Sequence, residues 1–168
     1  MSIRHAVEYD LPRIVEIYNA AIPTRSSTAD TETVSVASRK AWFFRHEPDR
    51  RPLLVYEREE GVVAWMSFED FYGRPAYRHT AELSVYIAPE QQGRLLGKRL
   101  LQKAEELAPA LGLRSLVGYV FAHNTRSMRL LSALGYQEWG RLPDIAEMDG
   151  KEYSLCIMGK RLAHLGKK

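Results

Sequence analysis

Val85-Tyr86-Ile87-Ala88-Pro89-Glu90-Gln91-Gln92-Gly93-Arg94-Leu95-Leu96-Gly97 joins two segments of opposite periodicity. Before it, Thr80 to Ile87 alternates: Leu83, Val85 and Ile87 share one face of a strand, and Glu82, Ser84 and Tyr86 share the other. After it, Leu96, Leu100, Ala104, Leu107 and Leu111 form an apolar stripe opposite Lys98, Arg99, Gln102, Lys103 and Glu106, which predicts a helix over 97–111. A short turn feeding a helix presents several unpaired backbone N–H groups and the positive end of the helix dipole. A pyrophosphate can lie there, provided small residues let the backbone come close. Gly93 and Gly97 supply that access, and Arg94 and Lys98 add countercharge. The Lys-Ser/Thr ending of a nucleotide P-loop is absent, as is the Gly-x-Gly-x-x-Gly dinucleotide fingerprint, so the turn need not suit ATP or NAD.

Outward from this junction the pattern continues to alternate between periods. Ile3 to Val7 reads as a strand, and Asp10 is placed to cap a helix whose apolar residues are Leu11, Ile14, Val15 and Tyr18. A polar loop, 23–33, precedes a second helix over 35–46 anchored by Trp42 and Phe43. Strands 53–57 and 62–71 flank Glu59-Glu60-Gly61 as a hairpin, and Tyr72-Gly73-Arg74-Pro75 breaks the chain before strand 80–87. Downstream lie a strand at 115–120, a helix over 124–134 ended by Gly135, and strands at 137–142 and 151–160 joined through Asp149-Gly150. The order is β-α-α-β-β-β-α-β-α-β-β. Its hairpins require antiparallel pairs and its strand-helix-strand unit a parallel one. The class is therefore α/β (of α+β type), a mixed, mostly antiparallel sheet of about seven strands with helices on both faces.

Composition narrows the function. The 168 residues, 45% apolar and 27% charged, suit one domain over 1–168 with a sizeable core. No run approaches the ~18 apolar residues of a membrane helix, and the N-terminus enters patterned sequence directly, which predicts a cytoplasmic protein without a membrane partner. The single cysteine, Cys156, lies in an apolar strand and reads as a buried structural thiol; neither a disulfide nor a cysteine-rich metal site is expected. A net charge of +3 without a basic stripe and interleaved aromatics argues against a nucleic-acid partner.

With these elements in place, Val85 to Gly97 resembles the acetyl-CoA signature of the GNAT N-acetyltransferases, Gln/Arg-x-x-Gly-x-Gly/Ala. Gln92 and Gly97 fit its outer positions, and Leu95 stands where the middle glycine is usual. A second stretch, Asn124 to Tyr136, is similar to the family's Asn-x-x-Ser-x-x-Leu-Tyr-x-x-Leu-Gly-Phe; Asn124, Ser127, Leu134, Gly135 and the aromatic Tyr136 match. The resemblance implies the GNAT fold, acetyl-CoA as cosubstrate and no metal. It implies cofactor contacts along the strand at Val85, Tyr86 and Ile87, with the backbones of Val85 and Ile87 bonding the pantetheine arm. The N–H groups of Gly93, Arg94, Leu95, Leu96, Gly97 and Lys98 are expected to hold the pyrophosphate, Asn124 to contact the pantetheine region and Ser127 the phosphate end. Arg126 and Arg129 are candidates for the ribose phosphate.

Acetyl transfer from a thioester to an amine needs a base for the ammonium proton, a donor for the oxyanion and a departing thiolate. Glu82, opposite the apolar face of its strand, is the candidate general base, because partial burial raises a carboxylate's pKa toward neutrality. A backbone N–H freed by splaying near Val85 is the expected oxyanion donor. The family's proton-donating tyrosine falls at Leu131, leaving Tyr86, Tyr119, His123 or water as substitutes. Ile17-Tyr18-Asn19, Trp42-Phe43, Arg74-Pro75-Ala76-Tyr77-Arg78-His79-Thr80-Ala81-Glu82 and Ser84-Val85-Tyr86 look like the phosphinothricin and methionine sulfoximine acetyltransferase branch. That branch implies a homodimer and a small amino-acid-like substrate acetylated on its α-amine. Such a carboxylate asks for an arginine fork, for which Arg74 beside Tyr77 is the first candidate and Arg78 and Arg25 are others. The competing readings are a GNAT-fold protein that acetylates a polyamine or a protein N-terminus, and a non-catalytic acyl-CoA sensor.

Overall fold

The computed structural model describes residues 2–93 and 95–163. Seven strands form one sheet in the order β1-β2-β3-β4-β5-β7-β6. The first four, β1 (Ser2–His5), β2 (Leu53–Arg58), β3 (Gly61–Asp70) and β4 (Thr80–Ile87), run as an antiparallel meander. Helix α3 (Leu96–Leu107) then carries the chain to β5 (Ser115–Phe121), which pairs parallel to β4. Strand β7 (Lys151–Arg161) inserts antiparallel between β5 and β6 (Gln137–Met148), leaving β6 on the edge. The sheet is mixed and mostly antiparallel, as its sequence pattern predicts.

Period-2 alternation divides the sheet into two cores. Ala81 and Leu83, with Val85 and Ile87 beside them, pack with Leu96, Leu100 and Ala104 of α3 and with Leu131 of α4 (Thr125–Ala133). On the opposite face Trp65 and Val55, with Tyr86 against them, pack under α1 (Leu11–Ala21) and α2 (Val36–Phe44). Cys156 is fully buried on the α3/α4 side, and burial pushes its thiol up.

Several boundaries differ from the sequence reading, each for a local reason. Helix α3 stops at Leu107 rather than 111: Ala108 is still helical and bonds the Ala104 carbonyl, but Pro109 has no N–H with which to continue the ladder. Strand β6 runs past Pro143 to Met148; the register shift between Leu142 and Ala146, with Asp144 at φ 48°, absorbs the proline as a bulge on an edge strand. Asp10 does not cap α1. Its buried carboxylate accepts from the Arg4 guanidinium at 2.7 and 3.0 Å and from the Val7 N–H at 2.8 Å, pinning β1 to the turn before the helix.

Candidate active site

Strands β4 and β5 pair over three positions, Thr80↔Ser115, Ala81↔Leu116 and Glu82↔Val117, and then part. Beyond Glu82, β4 stays on β3 through Ile87↔Ala64. The Ala88 N–H donates to the Val63 carbonyl at 2.9 Å, which fixes the alternation: Glu82, Ser84 and Tyr86 turn their backbone groups to β3, and Leu83, Val85 and Ile87 turn theirs to the opening. The opening is thus edged by N–H and C=O groups of Val85 and Ile87 that no strand pairs.

Helix α3 begins at the head of that opening. Among the described residues the first bond of its ladder is Arg99 N–H to Leu95 C=O at 3.2 Å, and the N–H groups of Leu96, Gly97 and Lys98 have no intrahelical partner there. Gly93 has φ +82° and open space where a Cβ would stand. Leu95, at the position of the usual glycine, takes that glycine's backbone (φ 57°, ψ 13°) and holds its side chain 73% exposed. The leucine therefore keeps the turn open and leaves its strain in the backbone. Leu96 is buried in the core, and Lys98 is exposed. Gly97 serves packing as well, because a Cβ there would sit 3.1 Å from Leu130 Cδ2 on α4. Arg94 lies outside the described residues.

Helix α4 starts beside this turn. The Asn124 side chain accepts from the Ser127 N–H at 3.2 Å, capping the helix, and donates to the Ser26 carbonyl at 3.0 Å. The segment around Ser26 straps the site on one side: Tyr86 donates to the Ser27 carbonyl at 2.9 Å, and His123 Nε2–H donates to the Arg25 carbonyl at 2.7 Å. Tyr18 holds the same segment through Thr28 and Asp30. Arg25 is bound to Asp149 at 2.8 Å and to the Thr31 carbonyl, which takes it out of contention as a carboxylate fork. Arg126 is exposed and reaches Gln92 Oε1 at 3.5 Å.

Glu82 stands where the strands part, directly across β3 from Glu69. Burial, reinforced by the Glu69 charge, pushes its carboxyl up to about 7. Tyr119, on the same face of β5, is likewise raised by burial and by the Glu82 charge. Among the described residues no hydrogen bond ties the Tyr119 hydroxyl, whereas the Tyr86 hydroxyl and the His123 Nε2–H are spent on the strap. Leu131 is buried in the α3/α4 core, so its position supplies packing and no acid.

Arg74 and Tyr77 meet in a cleft of about 180 Å³, lined also by Arg50, Asp70, Phe71 and Arg78. Asp70 binds Arg50 at 2.8 Å and the buried Arg51 at 2.8 Å, and Arg51 holds the Arg78 carbonyl, which braces the cleft wall. Glu82 does not line this cleft; it lies beside Ala81, the partner of Asp70 at the same end of β3. Sequence reasoning missed Glu69. Its alternation with Trp65 and Ser67 was visible, but the pairing with Glu82 follows only from register.

Residues 11–136 match the profile of the Acetyltransferase (GNAT) family. The chain belongs to that family. This GNAT protein is 50% identical over 164 residues to "Putative phosphinothricin acetyltransferase YwnH" of Bacillus subtilis, a match covering 97% of this chain and 100% of the relative. It is 34% identical to an L-methionine sulfoximine/L-methionine sulfone acetyltransferase of Pseudomonas aeruginosa, covering 94% of this chain and 92% of that one. The crystal structure of a GNAT superfamily phosphinothricin acetyltransferase from Sinorhizobium meliloti in complex with AcCoA superposes with a TM-score of 0.89 at 28% identity, covering 96% of this chain and 88% of that one. The GNAT protein is accordingly an N-acetyltransferase.

Proposed function

We propose that this N-acetyltransferase moves the acetyl group of acetyl-CoA directly to the α-amine of a small amino-acid-like substrate, in a ternary complex, with Glu82 as general base. Methionine sulfoximine, methionine sulfone and phosphinothricin are the substrates to which its relatives point. The observation that carries the reading is the Glu82 carboxyl, held near neutrality where β4 leaves β5. An ammonium must become an amine before its lone pair can attack, and a base titrating near the working pH is the efficient acceptor.

In this reading the backbone groups of Val85 and Ile87 that no strand pairs bond the pantetheine arm, with Tyr86 between them on the strand. The N–H groups at Gly93, Leu95, Leu96, Gly97 and Lys98 take the pyrophosphate, which the open space over Gly93 and the outward side chain of Leu95 favour. Ser127 lies on α4 beside them, and Asn124 fixes that helix start. The amine attacks the thioester carbonyl carbon, the oxyanion is met by a β4 N–H near Val85, and the C–S bond breaks. Tyr119 is the proton donor to the departing thiolate, because its hydroxyl lies on the Glu82 face, has no other partner among the described residues and is still protonated at the working pH. Arg74 and Tyr77 take the substrate carboxylate and side chain in the cleft they line.

A homodimer and a cytoplasmic setting belong to the same proposal. No helix among the described residues is long and apolar enough to cross a membrane, and the edge strand β6 exposes Trp139 and Ile145. Gel filtration over a concentration series tests the dimer. Thiol release with methionine sulfoximine, methionine sulfone, phosphinothricin, ordinary amino acids, polyamines and a peptide N-terminus tests the substrate. The first three are expected to turn over fastest; a polyamine or peptide in first place removes the assignment. Acetyl-CoA uptake with no release from any amine favours a sensor.

A further inference from the structure

We propose that Gln91 is a positioning residue for acetyl-CoA: its buried side-chain amide clamps the pyrophosphate turn onto the β2–β3 hairpin, an assignment that rests on the pyrophosphate lying at that turn.

Between Ala88 and Leu96 the chain runs over the surface, and among the described residues there Gln91 alone is buried, at 6% exposure. A buried amide is costly unless both of its ends are bonded. Here both are. Oε1 accepts from Arg58 Nη1 at 2.5 Å, and Nε2 donates to Glu60 Oε1 at 3.0 Å. Arg58 is the last residue of β2 and Glu60 lies in the turn before β3, so one side chain grips both sides of the hairpin tip. Both bonds are charge-assisted, and the Arg58 guanidinium is itself steadied over the Tyr56 ring at 5.6 Å.

The entry of the junction is tied to the same hairpin by other means. The Ala88 N–H donates to the Val63 carbonyl at 2.9 Å, and Arg13 links Glu90 at 2.8 Å to the Val62 carbonyl at 3.0 Å. Gln91 holds the exit, two residues before Gly93. The backbone that follows is left-handed twice, at Gly93 with φ +82° and at Leu95 with φ 57°. A left-handed leucine persists only where its surroundings over-determine it. Two directional bonds fix the turn in position and in rotation, whereas an apolar anchor of the same size would fix only its depth.

The N–H groups that meet the pyrophosphate begin at Gly93, so Gln91 acts through the backbone rather than on the ligand. Losing the clamp lowers the fraction of molecules whose turn is ready to bind. The apparent dissociation constant then rises by the inverse of that fraction.

Calorimetry separates this role from general stability. Three ligands are titrated: acetyl-CoA, phosphoadenosine diphosphate (the half that carries the pyrophosphate) and acetyl-pantetheine (the half that does not). The proteins are the parent, Gln91→Ala, Gln91→Glu, and the exchanged pair Gln91→Glu with Glu60→Gln. Gln91→Ala is expected to raise the dissociation constants of the first two ligands about tenfold, the equivalent of one charge-assisted bond, and to leave acetyl-pantetheine unchanged. Gln91→Glu sets two carboxylates against each other and should weaken the same two ligands. The exchanged pair puts an amide donor back between them, keeps the acceptor for Arg58, and should return most of that loss. Equal weakening of all three ligands, no weakening in Gln91→Ala, or an exchanged pair no better than Gln91→Glu overturns the clamp. If Gln91→Ala does not fold, the exchanged pair against Gln91→Glu decides alone. A parent that binds acetyl-pantetheine as tightly as acetyl-CoA sinks the pyrophosphate site instead.

Discussion

Replacing Glu82 by Gln should abolish most turnover and, at the same time, stabilise the folded protein in a pH-dependent way. In the unfolded chain this carboxyl ionises near 4.5, and in the fold it ionises near 7, because burial and the Glu69 charge disfavour the anion. A raised carboxyl pKa adds stability that is fully present below 4.5 and is lost as pH climbs through about 7. Over that interval the unfolded state has released a proton that the native state keeps, and each pH unit costs about 1.4 kcal/mol. The interval corresponds to about 3 kcal/mol at most, and partial solvent exposure of the side chain brings it to about 2 kcal/mol. Glutamine cannot ionise and escapes the whole penalty. Urea unfolding of both proteins at pH 4.5, 6, 7 and 8 should therefore show the Gln variant gaining on its parent by about 2 kcal/mol across the series, nearly all before pH 8. A difference that stays flat from pH 4.5 to 8 would refute the claim that Glu82 is held near neutrality, and with it the physical basis of the base assignment. Stability gained where activity is lost is the usual signature of a site that function keeps strained.

Other substitutions probe the turn and the cleft. Leu95→Gly removes the left-handed strain at φ 57° and should raise stability by about 1 kcal/mol in urea, without weakening acetyl-CoA binding by calorimetry; a loss of stability would mean the side chain is doing packing work. Gly97→Ala places a methyl 3.1 Å from Leu130 Cδ2 and should cost about 1 kcal/mol, with Leu130→Ala in the double mutant returning part of it; additive losses would show that the two sites do not touch. Arg74→Lys gives up the guanidinium fork and should raise the KM for amino-acid substrates about tenfold while the KM for acetyl-CoA stays put; an equal rise in both would place Arg74 outside the substrate cleft.

Much of the molecule was legible in the chain. Alternation at 80–87 and the helical stripe that follows it placed the strand, the turn and the helix, because period 2 and period 3.6 leave different marks. The faces of β4 followed directly, with Leu83, Val85 and Ile87 toward α3 and Tyr86 toward α1. Capping was only half readable. Asn124 caps α4 as its residue type suggests, whereas Asp10 spends its carboxylate on Arg4 and Val7, near in sequence but brought to it only by the turn between β1 and α1. Strand β6 outruns the expected 142 because Pro143 sits in a bulge, and an edge strand can lose one donor that a central strand cannot.

What the sequence determined by itself was the set of elements and the residue types at their junctions, since both depend on spacing along one segment. Register, depth and pairing came only with the tertiary structure. Glu69 and Glu82 are thirteen positions apart and face each other only because β3 and β4 lock in one alignment. The residue type at Leu95 was plain from the chain, but only its left-handed backbone shows that the side chain points outward. A carboxyl's affinity for a proton is set by the charges and solvent around it, and those are assembled from distant parts of the chain.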